Sequence, residues 1–320
     1  MKKTIVFFTL LLLSAVSIAI GISLGSETIN PIKIFYNKSD LLSTEIITRL
    51  RLPRVITAFI TGSSLAVCGV VFQSFFRNPL ADPFITGISG GAALGYAISV
   101  VLAIPPHYGI FFSIGGSILA IFILSSLISN FSGSTSSFIL SGISLSFIFS
   151  SCVMLIFAIA KSESVHKIII WMMGDLNSAN NAAFSIYLAP LFILAIWSFH
   201  RHIDLISLGD DFAKTSGVNP WEVLLIFLLT SVLVALSVLM GGIIPFIGLM
   251  IPHIIRPLSS SLTFYSIPFS ALCGGAFLVI CDSISRSIIS PYELPVGVIT
   301  GLLGGLFFFI TIFRQRSTSE

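Results

Sequence analysis

Apolar residues run along this chain in long unbroken blocks, separated by short polar breaks, and not at the three-to-four spacing of a half-buried surface helix. Read with a window of about 19 residues, the blocks give about ten candidate spans, roughly 5–25, 55–75, 87–104, 110–128, 137–160, 183–199, 221–240, 244–258, 264–285 and 294–313. A helix needs about 20 apolar residues to cross a bilayer, and most of these blocks supply that. The eighth is short and holds Pro245 and Pro252. By length it reads equally as a re-entrant segment. The expected fold is therefore all-α: a polytopic membrane protein of about ten transmembrane helices, with residues 1–320 forming one transmembrane domain.

Composition agrees. Of 320 residues, 55% are hydrophobic and 9% charged, with a mean hydropathy of +1.06. A soluble domain carries about 25% charged residues, so a soluble class is excluded. The net charge of +3 comes without a basic run, which gives nucleic acid nothing to bind. Cys68, Cys152, Cys273 and Cys281 lie in apolar blocks without CxxC or metal-ligand spacing, and read as small core residues. Met1-Lys2-Lys3 before an apolar run could open a signal peptide. The run exceeds the usual core of about 7–15 residues, and Gly21 to Ser26 makes a poor cleavage site. A first membrane helix is the expectation.

The longest polar connections are 25–47, 161–182 and 200–220. With ten spans the first two face one side and the third faces the other. Lysine and arginine should fix the orientation, but they divide evenly. Lys2, Lys3, Arg77, Arg201, Lys214, Arg256, Arg314 and Arg316 fall on one side. Lys33, Lys38, Arg49, Arg51, Arg54, Lys161, Lys167 and Arg286 fall on the other. An internal echo links Pro83-Phe84-Ile85-Thr86-Gly87-Ile88 with Pro245-Phe246-Ile247-Gly248-Leu249-Met250. Five spans separate the copies, so they run in opposite directions, as in an inverted repeat with a pathway between the halves.

Several short motifs stand in order along the chain. Arg51-Leu52-Pro53-Arg54 opens the second span, Arg77-Asn78-Pro79-Leu80-Ala81-Asp82-Pro83 closes it, and a Gly/Ala-rich segment follows. Further on come Ser134-Thr135-Ser136, Trp171-Met172-Met173-Gly174, Leu208-Gly209, Gly248-Leu249-Met250-Ile251-Pro252-His253 and Glu293-Leu294-Pro295-Val296-Gly297. Together they resemble the FecCD-type permeases, the membrane-spanning subunits of ABC importers for ferric siderophores, haem and cobalamin. The resemblance covers nearly the whole chain. It implies a permease in a bacterial inner (plasma) membrane that does no covalent chemistry and needs no cofactor or metal. The implied partners are a dimer of ABC ATPase subunits, a periplasmic or lipid-anchored substrate-binding protein, and a second permease copy or homologue. The chain has no P-loop of the form G-x-x-x-x-G-K-[ST], which agrees with an ATPase on a separate polypeptide. The resemblance also favours cytoplasmic termini and a true crossing for the eighth block.

The candidate functional residues have two readings each. Arg51, Arg54 and Arg286 lie at span ends, where interfacial anchoring is the ordinary role of an arginine. The resemblance implies that these three receive acidic residues of the binding protein. The polar segment His200 to Val223 is either a solvated loop or, by the resemblance, the coupling element that sits on the ATPase, with Leu208, Gly209, Ala213 and Gly217 matching its pattern. Asp204–Gly209 and Asp210–Thr215 are expected as two short helices, with Gly209 and Gly217 as terminators. Thr135 and Ser136 are helix-capping residues and, by the resemblance, the cytoplasmic gate. His253 is a structural group more readily than a relay or haem ligand, and Asp282 is expected to pair with Arg286 four residues on. The rival class is an ion-coupled secondary transporter, which needs membrane-embedded carboxylates that are scarce here. An intramembrane enzyme ranks lower, because the spans hold no HExxH and no paired carboxylates.

Overall fold

A computed structural model of the chain describes residues 2–25, 44–130, 135–176, 183–259, 262–289 and 292–317. Among these the regular structure is helical. In order the α-helices are α1 (Lys2–Ser23), α2 (Leu52–Phe75), α3 (Ile88–Val101), α4 (Pro106–Asn130), α5 (Thr135–Ile159), α6 (Ser162–Met172) and α7 (Ala183–Ser198). They continue as α8 (His200–Ser207), α9 (Asp210–Thr215), α10 (Pro220–Gly241), α11 (Ile247–Ser259), α12 (Thr263–Ser287) and α13 (Val296–Ser317). A π-helical turn, Ile46–Arg51, leads into α2, and a 3-10 turn, Pro83–Thr86, precedes α3.

Each of the ten predicted blocks coincides with a helix, which confirms the all-α class. The number of crossings is a different matter. Among the described residues, six helical segments are long and apolar enough to cross a membrane by themselves: Lys3–Ser23, Ile46–Phe75, Tyr108–Ser126, Ile139–Ile159, Pro220–Gly241 and Thr263–Ser287. A seventh crossing would be the pair Phe184–Ser198 and His200–Ser207, bent by 60°. Ile88–Val101 and Val296–Thr311 are shorter apolar helices. α11 has 13 residues, roughly 20 Å at 1.5 Å per residue, and falls short of a hydrocarbon core of about 30 Å.

The bundle is built around α2, which is buried along most of its length and packs against α12, α10, α11 and α7. Helices in lipid gain little from the hydrophobic effect on meeting, and rely on close contact between small residues. Gly62 of α2 faces Gly274 of α12, and Ser63 Oγ donates to the Ala271 carbonyl at 2.7 Å. Gly69 of α2 lies directly against the backbone of Gly248 in α11. α3 and α4 meet the same way, Gly91 against Gly116, with Ser113 Oγ donating to the Ala92 carbonyl at 3.0 Å. α1 lies along α12, where Ser14 Oγ donates to the Leu272 carbonyl at 3.1 Å.

The two copies of the internal echo touch, since Gly248 packs on the Pro83 ring. They do not share a local fold. After Pro83 the chain makes a 3-10 turn and α3 waits until Ile88, whereas after Pro245 the helix starts at Ile247. Asp82 explains the first turn: its carboxylate accepts the Phe84 N–H at 2.9 Å. Pro245 has no such capping residue before it.

Candidate functional site

Apart from Thr135 and Ser136, the predicted functional residues gather at the two ends of α2. This helix has 24 residues and is roughly 36 Å long.

Arg51 and Arg54 stand at its first end, together with Arg286 from the last turn of α12. All three side chains are engaged within the chain. Arg51 Nη1 donates to the carbonyls of Ile22 and Ser23 at 3.0 and 2.9 Å. Arg286 donates from Nη1 to the Leu24 carbonyl at 3.1 Å and from Nη2 to the Gly21 carbonyl at 2.9 Å. These four carbonyls end α1, where a helix has no partners of its own for them, and cations suit the negative end of its dipole. Two arginines thus close one helix terminus. Arg51 is 6% exposed and Arg286 is 4% exposed.

Arg54 completes a charge cluster. Its Nε lies 2.9 Å from Asp282 Oδ1, and its Nη1 lies 2.7 Å from Glu293 Oε2. Arg286 Nε is 2.9 Å from Asp282 Oδ2. The expected Asp282–Arg286 pair is present, and Asp282, fully buried, is neutralised from two sides. Buried Asp282 is thus paired with two cations, which is the condition for keeping a carboxylate out of water, while Glu293 meets Arg54 from the exposed side. The roles of Arg54 and Glu293 in this cluster do not follow from the sequence. Arg54 is 228 residues from Asp282, and no local spacing announces that contact.

The motif containing Glu293 also meets Trp171-Met172-Met173-Gly174. The N–H groups of Val296 and Gly297 donate to the carbonyls of Gly174 and Met173 at 3.2 and 3.0 Å. The free donors opening α13 therefore meet the free acceptors ending α6.

The second end of α2 carries the polar segment. α8 is longer than expected and begins at His200. Asp204 Oδ1 accepts the Thr263 N–H at 3.0 Å, which ties α8 to the start of α12. Arg77, just past α2, reaches Asp210 at 3.4 Å. α9 ends as predicted. Gly217 takes φ +90°, its N–H donates to the Lys214 carbonyl, and the Val218 N–H donates to the Ala213 carbonyl at 3.0 Å. This is a Schellman ending, with Val218 and Ala213 as its apolar contact. Ala213 is consequently buried at 4%, while Leu208 and Phe212 stand exposed at 66% and 50%. Gly209, between the helices, has φ +126°.

α5 begins at Thr135, but the side chains of Thr135 and Ser136 lie outside the described residues. His253 lies edge-on to Phe307 and Phe308, with ring centroids 5.9 Å away in each case. Among the described residues no group of three or more His, Cys, Asp or Glu could hold a metal ion.

Comparison with known proteins bears directly on these surfaces. The FecCD transport family model matches residues 10–314. The hemin transport system permease protein HmuU of Yersinia pestis is 34% identical over 277 residues, covering 83% of each chain. The molybdate import system permease protein MolB of Haemophilus influenzae is 32% identical over 328 residues, covering 98% of this chain and 96% of its own. A solved chain from a transporter described as of the metal-chelate ABC type, in an inward-facing conformation, superposes with a TM-score of 0.88. It is 29% identical and covers 96% of this chain and 98% of its own. The helices ordered around α2 and the motifs at its ends are thus those of a multi-pass ABC importer permease, a transport component and not an enzyme, and the chain belongs to the FecCD transport family.

Proposed function

We propose that this chain forms the translocation pathway of a binding-protein-dependent importer in a bacterial inner membrane, driven by ATP hydrolysis on a separate subunit. The cargo is an iron chelate, a ferric siderophore foremost and haem or cobalamin next. The observation that carries the reading is the division of labour along α2. A cluster of arginines occupies one end, and a stiff two-helix element with an exposed Leu208 occupies the other. Such an element can convey closure of an ATPase dimer into helix movement. Relatives named for hemin and molybdate, and a metal-chelate type neighbour, support a metal-bearing cargo. Asp282, the carboxylate set deepest in an apolar block, is already held by two arginines, which speaks against ion coupling.

In this reading a soluble binding protein docks on the face of Arg51, Arg54 and Arg286, and Leu208, Gly209, Ala213 and Gly217 make up the coupling element. Thr135 and Ser136 form the gate between two permease copies. Leu208 and Phe212 make direct contact with the ATPase, while Ala213 and Gly217 hold the element's shape. The test is reconstitution in vesicles with the partner ATPase and binding protein, with a ferric siderophore, haem, cobalamin and molybdate offered separately. Uptake of an iron chelate that requires ATP and both partners is expected, as are crosslinks from Leu208→Cys and Phe212→Cys to the ATPase. Uphill uptake by the permease without ATP or companions, driven by protons or sodium, would overturn the proposal.

A further inference from the structure

Gln73 lies in the last turn of α2 and is 2% exposed. A buried amide in a membrane helix is costly unless its groups are bonded. Its Nε2 donates to the carbonyls of Gly248 and Leu249, each at 3.3 Å, and its Oε1 accepts from Arg256 Nη2 at 3.2 Å. The acceptors are informative. In a regular helix the Gly248 carbonyl would receive the N–H of residue 252, four positions on. Residue 252 is proline, which has no N–H. The donor that α11 lacks is therefore supplied by α2. The same pattern recurs elsewhere in the molecule. Pro268 in α12 frees the Phe264 carbonyl, and Trp197 Nε1 of α7 donates to it at 3.0 Å.

We propose that Gln73 is a positioning residue for transport. It replaces the hydrogen bond that Pro252 removes, and through Arg256 it fixes both ends of the proline-containing α11 to the coupled end of α2. Three observations converge. Gly69, one turn earlier on the same helix, brings α2 into backbone contact with Gly248. Phe246 enters α11 in the left-handed region at φ +71°, which a bulky residue adopts only when its surroundings impose it. Arg77, four residues after Gln73, holds Asp210 of the coupling element. A displacement of that element thus reaches α11 through the last turn of α2.

The inference rests on the transport reading, and its test separates the two. The wild-type assembly with its ATPase and binding protein is reconstituted first, and its failure to transport with ATP would count against the transport reading itself. In that assembly Gln73→Leu is expected to hydrolyse ATP while its cargo delivered per ATP falls about tenfold, the scale of one lost buried hydrogen bond. Gln73→Met, of similar length and without either polar group, serves if the leucine variant does not assemble. Adding Pro252→Ala to either variant restores a backbone N–H opposite Gly248 and should recover most of the lost coupling. An unchanged cargo-to-ATP ratio in the single variants would overturn the proposal, even if both rates fell in parallel with thermal stability. So would a double variant no better coupled than the single.

Discussion

At the scale of single residues, one glycine decides whether two helices can meet. A Cβ on Gly69 would overlap the Gly248 carbonyl, which is backbone and cannot rotate away. Gly69→Ala should therefore cost about 1–3 kcal/mol and lower the melting temperature in detergent. Gly115→Ala, where nothing lies within 4 Å of the added methyl, should melt like the wild type. Equal melting of the two variants would remove Gly69 as the contact point. How much of this is legible in the sequence depends on range. Asp282 and Arg286 are four apart on one helix, so their pairing follows from periodicity. Gly217 as a helix terminator follows from local chain geometry. Gln73 does not stand out in the sequence, because the proline it serves is distant and on another helix. A buried amide opposite a helix-breaking proline is the signal that could have found it.

Among the elements, the apolar blocks identify the helices because lipid leaves the backbone few alternatives. They do not count the crossings, because a bend at Phe199 and an extended entry into α11 are tertiary outcomes. The 3-10 turn before α3 shows a local cap at work. Burial is the stronger influence on the Asp82 carboxyl and pushes its pKa up to about 6, against the Phe84 N–H, which favours the charged form. The value exceeds the ordinary 3.8, so between those two values the folded chain binds more protons than the unfolded one. The favourable contribution of the protonated carboxyl is complete below 3.8 and is lost as pH rises through about 6. An asparagine in its place would keep the acceptor for Phe84 and carry no charge to desolvate. Asp82→Asn should thus gain melting temperature relative to wild type as pH rises from about 4 to about 7, with the difference levelling above about 6. A difference independent of pH would show that the carboxyl ionises without cost.

For the whole molecule, the face proposed to receive the binding protein raises a question of competition. Two of the arginines proposed to receive a partner's carboxylates, Arg51 and Arg286, already close the carbonyls of Gly21 to Leu24 at the end of α1. Arg51 and Arg286 are nearly inaccessible in this arrangement. A guanidinium has five donors in a fixed fork, so a carboxylate approaching from outside must take donors now given to α1. Charge-assisted bonds to a carboxylate are stronger than those to a neutral carbonyl, and the exchange is therefore feasible at a fully formed interface. Its consequence is specific. Once its carbonyls lose their donors, the last turn of α1 is held mainly by its own bonds, such as that from the Leu24 N–H to the Ile20 carbonyl at 2.8 Å. Adding the binding protein to the reconstituted importer should then speed amide hydrogen exchange at Ser23, Leu24 and Gly25, while amides in the middle of α2 stay protected. If exchange at the end of α1 slows or stays constant while the partner is bound, the arginines keep α1 closed during docking. In that case the partner must be recognised by other groups on the same face, and Arg51 and Arg286 would be structural closures of a helix end.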